Sequence, residues 1–272
     1  MEELLSFEEY TRIKHKTPYF YTIKRRGQFL HYFGAAHSFD PVNPQFKLLE
    51  KQWRNFIKKT KKRNCALLIE DWVKKFDVDS PKDIILKYGE PGFAVYLAKK
   101  DKASFKCPEP PMKSQVKELL KSYNLNEIIY FYFISNLGQW YRYRLKDRPE
   151  FKKYANTVLR QLKKELKWLK FDLSLTNLKK IHQSIFKEKL GQSREKTIRE
   201  AASPVEYNSI INDISRTNSM FRNRYIVREI KKLWNKKKNI FIVYGASHAV
   251  IQRKELEKLV NESVVRSGRR NA

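Results

Sequence analysis

Two nearly identical hexapeptides, Tyr32-Phe-Gly-Ala-Ala-His37 and Val243-Tyr-Gly-Ala-Ser-His248, stand near opposite ends of the chain, each directly after a run of aromatic and β-branched residues. Nothing local can bring the two Gly-x-x-His turns together. If both serve one site, their strands must be parallel neighbours or next-neighbours in one sheet. A strand spacing of about 4.8 Å then predicts imidazoles within roughly 5–10 Å of each other. The echo therefore constrains topology as well as chemistry.

The text between the two turns fits such a sheet. Tyr19–Lys24 and Phe29–Phe33, joined by Arg25-Arg26-Gly27-Gln28, read as a β-hairpin. Asn43 followed by Pro44 predicts a helix N-cap and first turn, and Phe46, Leu49, Trp53, Phe56 and Ile57 recur at helical spacing. Cys65–Ile69 is a short continuous apolar run, as expected of a strand covered on both faces, and it ends abruptly in Glu70-Asp71. Ser80-Pro81 starts a helix that Gly89 should end. Pro91–Lys100 reads as another helix and Ala103–Cys107 as a strand running into Pro108-Glu109-Pro110-Pro111. From Lys113 to about Asn218 strand patterns stop. Phe221–Trp234 then reads as a helix, Asn239–Tyr244 as the last strong strand and Glu255–Val260 as a closing helix.

The expectation is a single α/β domain over 1–272: a mostly parallel sheet flanked by helices, entered by an N-terminal hairpin and interrupted by a helical insertion at 113–218. Residues 262–272 read as a flexible tail. With 272 residues and 41% hydrophobic content the chain can bury a sizeable core. The longest apolar run, Ile128–Ile134, is far too short for a membrane span. The acidic start lacks a secretory signal pattern, so a cytoplasmic protein is expected. The two cysteines, Cys65 and Cys107, read as buried thiols.

In open α/β sheets the ligand crevice lies beyond the carboxyl ends of the strands. His37, Glu70 with Asp71, Glu109 and His248 all fall at such ends, and Gly34 and Gly245 would let the backbone turn sharply out of its strand. Two neutral imidazoles with one or two carboxylates suit a catalytic divalent metal, and the same groups can act as acid and base without one. Glu70 is favoured over Glu109. Asp71 reads as a solvated neighbour, and Glu90, in Tyr88-Gly-Glu-Pro-Gly92, reads equally as a site carboxylate or a plain turn residue. Arg222 and Asn223, placed near the start of the helix before the last strand, would point toward the crevice, where an Arg fork can hold a carboxylate or oxyanion. Arg224 and Arg228 read as exposed basic residues.

This order of motifs resembles the TraB/PrgY/GumN and Tiki group, placed with erythromycin esterases and the haem-binding ChaN proteins in one EreA/ChaN-like superfamily. The resemblance covers roughly Tyr19–Glu109 and Phe221–Val260 and leaves out the helical middle. His37 and His248 match the two motif histidines, Glu70 the glutamate closing the next strand, and Arg222-Asn223 the Arg-Asn pair; Ala35 departs from the usual polar residue. The resemblance implies metal-dependent hydrolysis of a peptide or ester bond, with manganese or cobalt as the metal and zinc not distinguished by the residues. His37, His248 and Glu70 would hold the ion. Glu70 would ligate or act as base, and Arg222, Asn223 and Glu109 would assist.

Two other functions follow from the same text. One is a relative that binds a peptide or haem-like ligand without turnover. The other is a nucleic-acid-binding protein, drawing on a net charge of +29 and on Tyr141-Arg-Tyr-Arg144, where aromatics alternate with basic residues. Lysine is spread along the whole chain, however, so charge alone does not select a partner.

Overall fold

The computed structural model describes residues 3–71, 79–143, 145–190 and 195–262. Arg144 and the tail at 263–272 lie outside the described residues. The chain divides into two compact units, Met1–Glu109 with Asn223–Ala272, and Pro110–Arg222.

The first unit is an α/β layer structure. A short helix α1 (Phe7–Thr11) precedes β1 (Tyr19–Arg25) and β2 (Gln28–Ala35); α2 (Gln45–Thr60), β3 (Cys65–Ile69), α3 (Pro81–Lys100) and β4 (Ser104–Lys106) follow. Near the end of the chain come β5 (Asn239–Gly245) and α10 (Ala246–Glu262). The strand order is β1-β2-β5-β3-β4. β1 is antiparallel to β2, and every other pairing is parallel. The hairpin closes through Arg26 (φ 45°) and Gly27 (φ 79°), a two-residue turn whose positive φ values match strand twist.

Alternation along the strands sends side chains to two cores. On one face Phe33, Leu67, Phe241 and Val243 meet Phe46, Leu49, Trp53 and Phe56 of α2. On the other, Tyr32, Leu68, Ile242 and Tyr244 meet Ile226, Ile230 and Trp234 of helix α9 (Ile210–Asn235) and Leu256 of α10. Strands buried on both faces read as unbroken apolar runs, which explains Cys65–Ile69. Phe241 lies 5.2 Å from Trp53 and 5.3 Å from Phe56 between ring centroids, so truncating it would cost roughly 3–5 kcal/mol. β4 is three exposed residues long, a short edge that limits unwanted pairing.

Several boundaries differ from expectation. Helix α2 starts at Gln45, after Pro44, and Asn43 Oδ1 accepts from the Gln45 N–H at 3.0 Å. At Gly89 (φ 58°, ψ −147°), by contrast, the backbone leaves the helical region as expected, so Pro81–Lys100 is two helices meeting at a kink. Helix α10 begins directly after β5, well before Glu255. Helix α9 begins eleven residues before Phe221, at Ile210, because Ile211 and Ile214 are buried and extend its apolar pattern backward.

The second unit is helical. It holds α4 (Met112–Leu119), α5 (Leu125–Gly138), α6 (Phe151–Glu165), α7 (Leu175–Phe186), α8 (Glu195–Ala201) and the first half of α9. The apolar run Ile128–Ile134 is the buried centre of α5, packed among Val158, Leu162, Leu178 and Ile198. Its backbone start is fixed by a capping box between Asn124 and Glu127. Among the described residues, no helix is long and apolar enough to cross a membrane.

Candidate functional site

The two echo strands are parallel neighbours. β2 and β5 pair with Ala35 opposite Gly245, and β3 lies on the other side of β5 with Ile69 opposite Val243. The carboxyl ends of all three strands therefore share one edge of the sheet. Glu70, the first residue after β3, reaches across to β5, where its Oε2 accepts the Gly245 N–H at 2.8 Å.

That carboxylate lies between the two histidines. His37 Nε2 is 3.5 Å from Glu70 Oε2, and His248 Nε2 is 3.6 Å from Glu70 Oε1. The two ring nitrogens are thus no more than about 10 Å apart. Gly245 is required for this approach. A Cβ there would stand 2.5 Å from His37 Nε2. Its role is closeness rather than an unusual backbone angle; the positive φ of this region belongs to His37 (45°). Gly34 likewise serves packing, since its Cβ would meet the Ala246 Cα and the Tyr19 carbonyl at 2.8 Å each.

His248 is held from behind. Its Nδ1 lies 2.8 Å from Asn223 Oδ1, which also accepts from Gln252 Nε2 at 2.7 Å; Gln252 Oε1 in turn accepts the Tyr32 hydroxyl at 3.2 Å. An amide oxygen only accepts, so in this chain of bonds Nδ1 carries a proton and Nε2 faces Glu70. A ring nitrogen this near a carboxylate oxygen calls for a proton or a cation between them. Edges of 3.5–3.6 Å are close to the roughly 3.4 Å expected between two ligands of a tetrahedral ion with bonds of 2.0–2.2 Å. Yet among the described residues no three His, Cys, Asp or Glu side chains are grouped so as to hold a metal ion. The likeness is one of pairwise edges and donor types.

His37 is supported differently. Glu90, 2% exposed, places Oε2 at 3.7 Å from His37 Nδ1, while its Oε1 accepts from Gln45 Nε2 at 2.9 Å and from the Ser38 N–H. Gln45 Oε1 accepts from the Ala36 N–H at 3.0 Å. The segment Ala36–Ser38 is thereby fastened on both sides of the histidine. Glu90 is consequently no turn residue: the break at Gly89 turns its carboxylate inward. The Gly-Glu-Pro-Gly sequence was the available signal, since Gly89 can take φ > 0 and Pro91 interrupts helical hydrogen bonding.

The remaining expected residues divide. Asn223 joins the site, but from the interior of α9 rather than from its start. Its Nδ2, fully buried, has no hydrogen-bond partner among the described residues. Arg222, also mid-helix, belongs to the helical unit, where its positive charge acts on the Tyr132 phenol. Glu109 is half-buried beyond β4. Burial, with the charges of Glu109 itself and of Glu70, holds the Tyr244 hydroxyl well above the ordinary phenol range. Asp71, Arg224 and Arg228 are exposed. Both cysteines are buried and unbridged.

The aromatic-basic segment offers little free ring surface. Tyr141 packs on the helical core and the Arg148 guanidinium sits 5.3 Å from its ring centroid. Compared with known protein families, characterised proteins and solved structures, the chain matches none.

Proposed function

We propose that this protein is a metal-dependent hydrolase of peptide or ester bonds, the activity implied by the resemblance of its motif order to Tiki and TraB proteins. One observation carries the reading: the Glu70 carboxylate stands between the Nε2 atoms of His37 and His248, at 3.5 and 3.6 Å. His37, His248 and Glu70 would hold the ion once drawn closer than they stand here, and borderline imidazole nitrogens with a hard carboxylate oxygen suit manganese, cobalt or zinc. A divalent ion there would supply Lewis-acid polarisation of the scissile carbonyl.

The chain's own groups do the rest. Asn223 orients His248, and Gln45 and Glu90 hold the loop that carries His37. The Gly245 N–H holds one oxygen of the Glu70 carboxylate. Where Glu70 acts as base rather than ligand, it takes a proton from the attacking water as the C–O bond to the carbonyl carbon forms, and returns that proton to the departing amine or alcohol as the C–N or C–O bond breaks. This reading draws on the α/β unit alone and assigns Arg222 no step.

Metal analysis of protein purified without chelator tests it, alongside multiple-turnover assays on peptide and ester panels with and without added manganese, cobalt or zinc. Wild type should retain stoichiometric metal and turn over, and the His37→Ala, His248→Ala double variant should do neither. Full metal retention by the double variant would remove the ligand assignment. Ligand capture by metal-loaded protein without turnover would favour a binding protein instead.

A further inference from the structure

A second polar site lies away from the crevice, between strand β2 and the last two turns of α2. His31 on β2 is 6% exposed. Its ring is clamped by stacking on Phe241, 4.8 Å between centroids, and by Thr22 Oγ1 of the paired strand, 2.7 Å from Nδ1. The other nitrogen, Nε2, is buried and has no hydrogen-bond partner among the described residues. A buried polar atom left unmet costs about 1–3 kcal/mol, so an otherwise well-packed ring points to an occupant.

The space for one is present. His31 lines a cavity of about 50 Å³ with Thr22, Gln52, Asn55 and Lys59, closed below by Phe29 and Phe56. Roughly 10–15 Å³ of such space is enough for one water, so the cavity admits a guest the size of a few waters. Its lining sets the sign. No carboxylate is present; the one charged lining residue is Lys59, and the Lys24 ammonium lies 5.5 Å from the ring of Phe29. One imidazole beside an ammonium is a poor cation site. The neutral amides of Gln52 and Asn55 can turn their N–H groups inward.

We propose that this cavity binds a monatomic or similarly small inorganic anion, held between the Nε2–H of His31, the Lys59 ammonium and the amides of α2. Burial and the nearby Lys59 charge push the His31 imidazole down to about 4, so it is neutral at physiological pH and has one proton to place. The anion selects the tautomer with that proton on Nε2, leaving Nδ1 to accept from the Thr22 hydroxyl. The guest thereby links the hairpin to α2 on the face opposite α10.

Chloride titration tests this, with gluconate, too large for the cavity, holding ionic strength constant. Two signals are followed: the melting temperature, and the ¹⁵N–¹H correlation of His31 Nε2. Wild type should show a saturable rise in melting temperature together with a matching shift of the Nε2–H signal. Lys59→Gln should weaken the apparent affinity several-fold, and His31→Phe should abolish saturation. Crystals soaked in bromide should give an anomalous peak beside His31. Should wild type and both variants respond to chloride alike, or the bromide map show only water there, the proposal fails. Lys59 is exposed, so its variant keeps the test open even if His31→Phe does not fold.

Discussion

The segments Tyr32–His37 and Val243–His248 differ little in sequence but clearly in how they hold their histidines. After Gly245 the chain passes straight into helix α10, and His248 lies in its first turn, its side chain 9% exposed and tied to Asn223. After Gly34 the strand runs on to Ala35 and then into a loop, where His37 takes a positive φ and stays 31% exposed. A helix positions the second histidine through its own hydrogen bonds. The first depends on borrowed ones, from Gln45 and Glu90. Like sequences thus reach one carboxylate by unlike routes: the Gly-x-x-His spacing is shared and the backbone conformation is not.

The comparison breaks most decisively at Glu70, the residue the segments share. Glu70→Gln keeps an oxygen for the Gly245 N–H, so the fold should stand while hydrolysis falls on the order of 10²–10⁴-fold in steady-state assays. Unchanged turnover would separate the two histidines into unrelated groups.

Next comes an acid test of the strands that feed the segments. β2 carries His31 three residues before Gly34, whereas β5 carries Ile242 at the same place. The folded His31 value, about 4, lies below the ordinary 6.5, so between these values the unfolded chain binds a proton that the native chain does not. The contribution is present in full above pH 6.5 and is lost as pH falls toward 4, on the order of 3 kcal/mol in all. Urea unfolding from pH 7 to 4 in chloride-free buffer should show this loss in wild type and not in His31→Phe.

The two glycines should respond in opposite ways. In Gly34→Ala the new methyl meets backbone atoms of Tyr19 and Ala246, which cannot step aside, and stability should fall by about 1–3 kcal/mol in denaturant unfolding. In Gly245→Ala it meets the tip of the His37 ring, which can rotate away. That variant should stay closer to wild-type stability while losing metal retention. The smallest effect is expected at the helical segment's own support. Asn223→Ala frees the His248 ring to turn and should weaken metal affinity about ten-fold, read by competition with a chelating indicator.

Residues whose role is set by near neighbours were legible before the fold. Cys65–Ile69 shows a doubly covered strand because burial on both faces leaves no polar position. The hairpin follows from Gly27, and His37, Glu70 and His248 from their places at strand ends. Glu90 stays open between site and turn in the sequence, since a carboxylate beside glycine and proline suits either until its distant acceptor bonds are known. Asn223 was placed in the site, but at a helix start that lies in fact thirteen residues earlier.

By itself, then, the sequence determined the strands, their alternation and the residue types standing at the strand ends, because periodicity and turn chemistry act over a few residues. Tertiary structure alone decided that Glu70 falls between two imidazoles, that a kinked helix turns Glu90 inward, and that His31 keeps a buried nitrogen without a partner. Each of these depends on groups from separate strands and helices meeting within a few ångströms, a distance that packing sets and that no local pattern encodes.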